Sequence, residues 1–340
     1  MSVKNVKEVM RESDNLMDRR SFIRRAAGAG VLIATSALPV VADEETPAIA
    51  ADVFPKRGQY ERLSISYAVV EIGAERPFSV LHISDTHLTA AYAHENDKKQ
   101  QLCSSRTTTF GGHQEEALRD TLAWARQHVD YVVHTGDLID WQSEANFDLV
   151  RKYFGDTLVG SMGNHEFSTD MWLSDPKEEK TEAYKDNTRE RLQQVYPFDV
   201  CFQSKVLHGV NFITLDNVYG YVTEKQIELF IREVKRGLPI VLCMHVPFFT
   251  PLIWRASMRF WRDKGPMTYS EVPKATGDFL IQQEDIVTRD FIRYLKTEPL
   301  LRCILAGHEH ITVEDQFSPT CREYVVGGNF LFCGREVLFL

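Results

Sequence analysis

Closely spaced cysteine pairs and blocks of basic residues are both missing from this sequence. The cysteines, at positions 103, 201, 243, 303, 321 and 333, are scattered and never reach the spacing of a zinc-finger half-site. The net charge is −9, from 39 basic and 48 acidic residues, and no aromatic RNA-binding motif is present. A nucleic-acid platform that tracks phosphates by general positive charge is therefore excluded. No internal repeat is evident either.

A long, strongly apolar run is also missing. The run Ala26–Ala42 falls short of the ~20 apolar residues that a membrane span needs, and it is rich in alanine and glycine. It follows Arg19-Arg20 and Arg24-Arg25, so residues 1–42 are interpreted as an export signal of twin-arginine type. An uncleaved membrane anchor is the alternative. We expect a periplasmic or extracellular protein that touches the membrane only transiently, through this signal.

The rest of the chain has the composition of a folded globular protein. Of its 340 residues, 44% are hydrophobic and 26% are charged, enough for a large core. Residues 43–60 are polar and contain proline, which is typical of a linker. In residues 61–340, apolar runs of strand composition alternate with helical periodicity, as at Glu115–His128 and Thr223–Lys235. This alternation predicts one α/β domain over residues 61–340.

Metal-ligand residue types follow five of the strand-like runs. The runs are Phe78–Ile83, Tyr131–His134, Thr157–Val159 with Met162, Ile240–Met244 and Cys303–Ala306. The side chains that follow them are Asp85, His87, Asp137, Asn164, His245, His308 and His310. The carboxyl ends of strands in an α/β sheet border one crevice, so we expect these side chains to converge there.

This mixture of imidazole and oxygen ligands favours Mn, Fe, Zn or Co over calcium. It contains more ligands than one ion needs, and a carboxylate such as Asp137 can bridge. The pattern therefore predicts two transition-metal ions, divalent or of mixed valence, about 3.5–4 Å apart. Such a pair neutralises phosphate oxygens and lowers the pKa of a bridging water toward roughly 7, so that hydroxide can attack a phosphoester.

The ordered motifs resemble the signature of calcineurin-like metallophosphoesterases. They are Asp85-x-His87, Gly136-Asp137-x-x-Asp140, Gly163-Asn164-His165-Glu166, His245 and Gly307-His308-x-His310. The resemblance covers about residues 78–310. It implies a metal-dependent phosphoester hydrolase, acting as a phosphodiesterase or a phosphomonoesterase, with an αββα sandwich of two mixed sheets flanked by helices. A non-catalytic binding scaffold of the same fold is the alternative.

The resemblance also implies roles for individual residues. One ion would be held by Asp85, His87, Asp137 and His310, and the other by Asp137, Asn164, His245 and His308. His165 would stabilise or protonate the leaving oxygen, and Asp140 would orient it; the alternative for Asp140 is a helix cap. Glu166 would support the ligands. Purple acid phosphatases carry tyrosine where Asp140 stands and lack a counterpart of His87, so a colourless or faintly coloured protein of another subtype is expected.

Substrate contacts are predicted in two segments. The polar segment Thr89–Gly112 is interpreted as a loop over the site, which makes Arg106 and the nearby His113 candidates for contact with a small phosphoester; a solvated loop without such contacts is the alternative. The segment Pro247–Tyr269 follows His245 and combines aromatic residues with arginines, among them Arg255 and Arg259. It is either a specificity wall or a flap packed on its own domain. The residues do not choose between monoesters and diesters.

Two further expectations concern other parts of the chain. The charged stretch Asp175–Arg191 predicts a surface helix with few core contacts. The apolar segment Arg322–Leu340 is expected to complete the second sheet, and Cys321 and Cys333 flank a stretch that could be a hairpin closed by a disulfide.

Overall fold

The structure of the protein is a computed structural model that describes residues 61–155, 158–169, 181–263 and 285–340, with the side chains of 262 and 263 left out. The expected export signal (1–42) and linker (43–60) lie outside these residues, as does part of Pro247–Tyr269. Among the helices described, none combines the length and the apolar character that crossing a membrane requires.

Eleven strands form two mixed sheets in the described part of the chain. The strands are β1 (Ser64–Val70), β2 (Phe78–Ile83), β3 (Tyr131–His134), β4 (Val159–Gly160), β5 (Phe202–Leu207), β6 (Val210–Leu215), β7 (Ile240–Cys243), β8 (Leu301–Ala306), β9 (Val313–Ser318), β10 (Cys321–Val325) and β11 (Cys333–Phe339). One sheet has the order β1-β11-β2-β3-β4 and the other β5-β6-β7-β8-β10-β9. In the first sheet β2, β3 and β4 are parallel, and in the second β6, β7, β8 and β10 are parallel.

Helices connect these parallel strands. They are α1 (Asp97–Thr109), α2 (Gln114–His128), α3 (Glu144–Tyr153), α4 (Glu182–Gln193), α5 (Glu224–Val234), α6 (Pro251–Asp263) and α7 (Ile286–Leu295). Side-chain caps fix several helix starts. Ser143 accepts a hydrogen bond from the backbone N–H of Asn146, and Thr223 forms a reciprocal capping box with Gln226. The start of α3 is therefore capped by Ser143 and not by Asp140.

Three apolar layers hold the fold together. The middle layer lies between the sheets and combines Val80 and Val337 of the first sheet with Phe212 and Leu305 of the second. The outer layers pack α2 and α3 on the first sheet, and α5 and α7 on the second. The molecule is thus the expected αββα sandwich of two mixed sheets flanked by helices.

The sequence predicted a loop throughout Thr89–Gly112. This prediction is wrong, because the segment contains α1. None of the residues of α1 is buried, so the helix has no apolar stripe that periodicity could detect. Its start is marked instead by Asn96, whose side chain accepts a hydrogen bond from the Lys99 backbone N–H. The segment contacts the body of the protein through polar groups of α1, such as Arg106, and through the buried Phe110 that follows the helix.

The described part of the stretch Asp175–Arg191 lies mostly at the surface on α4, as expected, but it buries Lys185 and Thr188. Lys185 is 1% exposed, and its ammonium lies 2.9 Å from Asp216 and 2.7 Å from Glu182. The same ammonium lies 4.4 Å from the centre of the Tyr221 ring. A lysine of a charged helix can be buried when carboxylates pair with its ammonium in the interior. The periodicity of the sequence does not reveal such pairs.

Replacing Lys185 by methionine should destabilise the protein by about 3–5 kcal/mol, because it leaves the buried Asp216 carboxylate without its main cation. Urea unfolding of the metal-free chain measures this change. Arg151→Met is the matched control, since Arg151 and Asp148 form an exposed ion pair, and such pairs contribute little to stability. Equal effects of the two substitutions would contradict a structural role for the Lys185 pair.

The C-terminal segment completes both sheets and forms no hairpin between its cysteines. Cys321 begins β10 in the six-stranded sheet, whereas Cys333 begins β11 in the five-stranded sheet. Both thiols are free. The segment was expected to complete the second sheet. Only β10 does so, because β11 pairs with β1 and β2 of the first sheet.

Glu323 is a buried carboxyl group of β10 whose pKa depends on folding. Burial raises its pKa from the ordinary 4.5 to about 8, against the hydrogen bond that the Phe248 backbone N–H donates to it. A folded-state pKa above the unfolded one stabilises the protein fully below about pH 4.5, and this stability is lost as the pH rises through about 8. The free energy of unfolding should therefore fall by up to about 1.4 kcal/mol per pH unit in that window.

The variant Glu323→Gln tests this pH dependence, because an amide does not titrate. Urea unfolding should show the variant gaining stability relative to the natural chain as the pH rises from about 5.5 to about 8. Glu228→Gln, at an exposed position on α5, should show no such trend. A difference between Glu323→Gln and the natural chain that stays constant with pH would mean that Glu323 titrates normally.

Candidate metal centre

The seven predicted ligands all follow the carboxyl ends of strands, and the fold brings those ends to one place. Asp85, Asp137 and Asn164 follow β2, β3 and β4 of the first sheet. His245 follows β7 and His308 follows β8 of the second sheet. Both sheets therefore contribute to one site.

A first group of ligands contains Asp85, His87 and His310. Nε2 of His310 lies 3.4 Å from Oδ1 of Asp85 and 3.1 Å from Nε2 of His87. The Asp85 and His87 side chains are buried, whereas that of His310 is 13% exposed. These atoms face one another across a gap that a single ion could occupy.

A second group contains Asp137, His245 and His308. Nε2 of His245 lies 3.2 Å from Oδ2 of Asp137, 3.2 Å from Oδ1 of Asn164 and 3.2 Å from Nδ1 of His308. Oδ2 of Asp137 is also 3.8 Å from Nε2 of His87, a member of the first group. Asp137 thus lies between the two groups, where a bridging carboxylate belongs.

Most of these ligands have an unusual backbone conformation. Positive φ angles occur at Asp85 (54°), His87 (50°), Asp137 (54°), His308 (68°) and His310 (56°). For residues other than glycine this conformation costs roughly 1–2 kcal/mol each, and such strain concentrates at functional sites.

Neighbouring loops hold this strained backbone in place. The N–H groups of Asp85 and His87 donate to the carbonyls of Gly136 and Asp137 at 2.9 Å. Gly136 itself has φ of 93°, and a Cβ there would lie 2.6 Å from the Gly163 nitrogen. The glycine therefore permits the close approach of the Asp137 and Asn164 loops.

The arrangement of donor atoms fits bound transition metals. Two nitrogen ligands about 2.1 Å from one ion lie about 3.0–3.4 Å apart at ordinary coordination angles. The facing nitrogens of His87 and His310 are 3.1 Å apart, and those of His245 and His308 are 3.2 Å apart. The residues present are therefore compatible with one ion in each group.

The carboxyl groups of Asp137 and Asp85 are held in the ionised form. Burial would raise the pKa of Asp137, but the nearby His245 and His165 outweigh it and keep the pKa well below its ordinary value. Burial acts on Asp85 in the same direction, and there His310 overcomes it and lowers the pKa. The site thus contains buried negative charge that calls for cations.

The histidines divide into two electrostatic classes. Burial lowers the pKa of His308 to about 3 and that of His87 to about 4, which leaves the neutral imidazole that binds metals. Burial would also lower the pKa of His245, but the Asp137 carboxylate raises it to about 10. A proton and a cation would compete for Nε2 of His245, because the Asp137 carboxylate 3.2 Å away attracts both.

His165 and Asp140 lie beside the two ligand groups. Nδ1 of His165 is 2.9 Å from Oδ1 of Asp140, and its Nε2 is 4.0 Å from Oδ2 of Asp137. Burial would lower the pKa of His165, yet Asp137 and Asp140 raise it to about 9. The ring therefore presents a proton-bearing nitrogen toward the place where the ligands converge.

Glu166 holds together the two loops that carry Asp137 and Asn164. Its carboxylate accepts hydrogen bonds from the backbone N–H groups of Asp137 (2.9 Å), Leu138 (2.7 Å) and Gly163 (2.7 Å), and from the Tyr196 hydroxyl (3.1 Å). One buried carboxylate thus fixes the turn that carries Asp137 to the turn that carries Asn164.

Replacing Glu166 by glutamine should cost at least about 2 kcal/mol of stability. The amide NH₂ would face backbone donors that the carboxylate now satisfies, and buried unsatisfied groups cost about 1–3 kcal/mol each. Tyr196→Phe removes a single donor and should cost only about 1 kcal/mol. Urea unfolding of metal-free protein measures both. A smaller loss for Glu166→Gln than for Tyr196→Phe would contradict this role.

The candidate substrate residues lie in different environments. Arg106 donates to both carboxylate oxygens of Asp140, at 2.6 and 2.9 Å. His113 is exposed just before α2, where it pairs with Glu116 at 2.7 Å. Arg255 and Arg259 are exposed on α6. Arg255 and Arg259 are each two positions from Ser257 along α6. Both therefore lie on the face of the helix opposite Ser257. Substrate contact by these four residues stays a prediction.

Sequence reasoning missed how α6 reaches the site. The Glu309 side chain, between His308 and His310 in sequence, accepts hydrogen bonds from the Ser257 hydroxyl and, at 3.0 Å, from the Trp261 indole. The Trp261 ring lies 5.3 Å from the His310 ring. The spacing of Ser257 and Trp261, four residues apart on one helix face, is the signal that could have revealed this contact.

Aromatic rings surround the first ligand group, and this too was missed. The Phe110 ring stacks on His87 at 4.3 Å, and the Phe330 ring lies 5.2 Å from His310. Both phenylalanines are distant in sequence from the rings that they touch, so no local pattern predicts the contacts.

Comparison with known proteins gives one family match. The model of the family described as "Calcineurin-like phosphoesterase" matches residues 78–312. No curated protein matches the chain in sequence. Similar solved structures include a dimetal phosphatase from Danio rerio, which is 14% identical with a TM-score of 0.43; the alignment covers 76% of this chain and 91% of that one.

Two other similar structures belong to longer proteins. A purple acid phosphatase from yellow lupin (Lupinus luteus) is 13% identical with a TM-score of 0.42, and the alignment covers 75% of this chain and 44% of that one. A 5'-nucleotidase from Candida albicans is 13% identical with a TM-score of 0.36, with 78% and 47% covered. This chain spans about half the length of each of these two proteins.

Proposed function

The chain belongs to the calcineurin-like phosphoesterase family, and from this premise we propose that it hydrolyses phosphoesters at a dinuclear metal centre. The observation that carries the proposal is the position of Asp137 between two groups of buried Asp and His ligands. A single structural metal would need neither the second group nor a shared carboxylate.

The residues that would hold the ions follow from the two groups. Asp85, His87 and His310 belong to one ion, and Asn164, His245 and His308 belong to the other, with Asp137 shared between them. Two bound cations would neutralise phosphate oxygens and lower the pKa of a shared water toward about 7. Mn, Fe, Zn and Co are the candidate metals, because imidazole and carboxylate ligands suit all four.

The chain's own groups position the substrate and move the proton. His165 holds a proton on the side of the site that faces Asp137, and in the proposed reaction it donates that proton to the leaving oxygen. Asp140 keeps the ring oriented through the bond to Nδ1. The aromatic rings beside His310 favour an ester with an organic arm beyond the phosphate, whether it is a diester or a small phosphorylated metabolite.

We also propose a subtype and a location. Asp140 occupies the position at which purple acid phosphatases carry a tyrosine, so metal-loaded protein should lack a strong visible band. The twin-arginine-like segment before residue 43 supports export to the periplasm or beyond, with a brief membrane contact during export. The small phosphoester is the proposed partner, and the acidic composition supports no nucleic-acid platform.

The activity is tested by adding Mn, Zn, Fe or Co in turn to metal-stripped full-length chain. The substrates are p-nitrophenyl phosphate and bis(p-nitrophenyl) phosphate, a matched monoester and diester. We expect at least one metal to produce hydrolysis that a chelator abolishes, and the ratio of the two rates gives the ester preference. A folded chain that binds metal but hydrolyses neither ester would favour the non-catalytic scaffold instead.

A further inference from the structure

Arg106 contacts the site from α1, outside the loops that carry the ligands. Its Nε and Nη2 donate to Oδ2 and Oδ1 of Asp140, at 2.6 and 2.9 Å, in a two-point pairing. The Asp140 side chain is fully buried, and that of Arg106 is 19% exposed. Paired contacts between a guanidinium and a carboxylate fix the plane of the carboxylate as well as its charge.

The carboxylate that Arg106 holds serves two histidines with different roles. Oδ1 of Asp140 lies 2.9 Å from Nδ1 of His87 and 2.9 Å from Nδ1 of His165. Donation from both Nδ1 atoms leaves both Nε2 atoms facing the site, where His87 is a proposed ligand and His165 a proposed proton donor. Rotation of the carboxylate about its Cβ–Cγ bond would weaken both contacts together.

A second contact leads from Arg106 to the same ligand. Its guanidinium lies 4.8 Å from the centre of the Phe110 ring. The Phe110 ring in turn stacks on His87 at 4.3 Å with an interplanar angle of 13°. Arg106 therefore acts on His87 from two sides, through the Asp140 carboxylate and through an aromatic stack.

We propose that Arg106 is a positioning residue, which acts through Asp140 to hold His87 and His165 in the orientation that the reaction needs. The inference rests on the proposed phosphoesterase function. It differs from the substrate contact expected from the sequence, because two of the guanidinium donors are already engaged by Asp140 at short distance. A substrate phosphate would have to compete with a buried carboxylate for them.

A double-mutant cycle separates positioning from substrate contact. Arg106→Ala should lower kcat about 10–100-fold, the usual effect of removing a group that orients a metal ligand, while KM changes less than about 3-fold. In the Asp140→Asn background, Arg106→Ala should have little further effect, because the group through which it acts is already altered. A mainly raised KM, or an effect of the same size in both backgrounds, would overturn the proposal.

Two further variants distinguish loss of the Arg106 contact from loss of folding. Arg106→Lys keeps the charge but offers no planar fork, so it should recover only part of the loss. Added guanidinium should restore activity to Arg106→Ala, and methylammonium should restore much less. Lys98→Ala, at an exposed position of the same helix, is the matched control and should behave like the natural chain. Equal rescue by both cations would contradict a role for the two-point pairing.

Metal binding supplies a readout that does not depend on turnover. Calorimetric titration of the metal-free chain with Mn²⁺ should show about 10–100-fold weaker binding in Arg106→Ala than in Lys98→Ala, because the ligand His87 loses its support. If the natural chain bound Mn²⁺ without hydrolysing any ester, this difference would still support the positioning role, and only the proposed function would fail. Equal Mn²⁺ affinities in the two variants would overturn the positioning role.

Discussion

Replacement of Asp137 by alanine is expected to remove metal binding and hydrolysis together. Oδ2 of Asp137 lies within 3.8 Å of His87 and within 3.2 Å of His245, so in the proposed centre it is shared between the two ligand groups. Loss of such a bridging ligand would affect both proposed ions. We expect turnover to fall roughly 10³-fold or more, which corresponds to about 4 kcal/mol of transition-state stabilisation.

Metal content and hydrolysis should be measured on the same preparation of the Asp137→Ala variant. Asp130→Ala is the matched control, because Asp130 lies at the opposite end of β3, where it accepts a hydrogen bond from the Ser79 backbone N–H. That variant should keep both ions and full turnover. An Asp137→Ala protein that retained two ions per chain and normal turnover would remove Asp137 from the site.

The second large effect is expected from His165→Ala. Here metal binding should stay within about 3-fold of the natural value, since Nε2 of His165 is 4.0 Å from Asp137 and its Nδ1 is engaged by Asp140, the partner with which it and His87 form a separate cluster. Turnover should fall about 10²–10⁴-fold for esters with an alkoxide leaving group, the range typical of a positioned proton donor. Esters of p-nitrophenol should lose much less, because that leaving group needs no proton.

The comparison of leaving groups is what makes the His165 test specific. Asp140→Asn should show the same dependence on the leaving group in weaker form, because it disturbs the orientation of the ring without removing it. His94→Ala, at an exposed histidine paired with Glu144, serves as the control and should change neither quantity. Full turnover of an alkyl ester by His165→Ala would assign proton donation to another group.

The ligands could be predicted from sequence because strand ends are visible there. Strand composition at Phe78–Ile83 and Tyr131–His134 gave the bounds that β2 and β3 have in the structure. The side chains that follow these runs could then be assigned to the crevice at the carboxyl ends. The convergence of Asp85, Asp137 and His245 needs only the topology and no knowledge of side-chain geometry.

The supporting contacts could not be predicted in this way, because they join residues far apart in sequence. The pairing of Arg106 with Asp140, 34 residues apart, depends on where α1 ends, and that helix has no apolar stripe to reveal it. The buried Lys185 depends in the same way on Asp216, 31 residues further along the chain. Composition places such residues at the surface, and only their partners bring them inside.

Positive φ angles at the ligands could not be seen in the sequence either. Aspartate and histidine adopt this conformation more readily than most residues, but nothing marks Asp85 or His310 as doing so. The positive φ angles occur where the ligand loops pack closely against each other at Gly136 and Gly163. This packing indicates that the interlocked loops hold the ligand side chains in place.

The count of ions tests the central claim most directly. Metal-stripped protein should be titrated with Mn²⁺, and the stoichiometry and the electron paramagnetic resonance spectrum measured together. Two ions per chain with the spin coupling of a pair about 3.5–4 Å apart are the result that a shared Asp137 predicts. One isolated ion per chain, or none, would contradict a dinuclear centre and with it the proposed reaction.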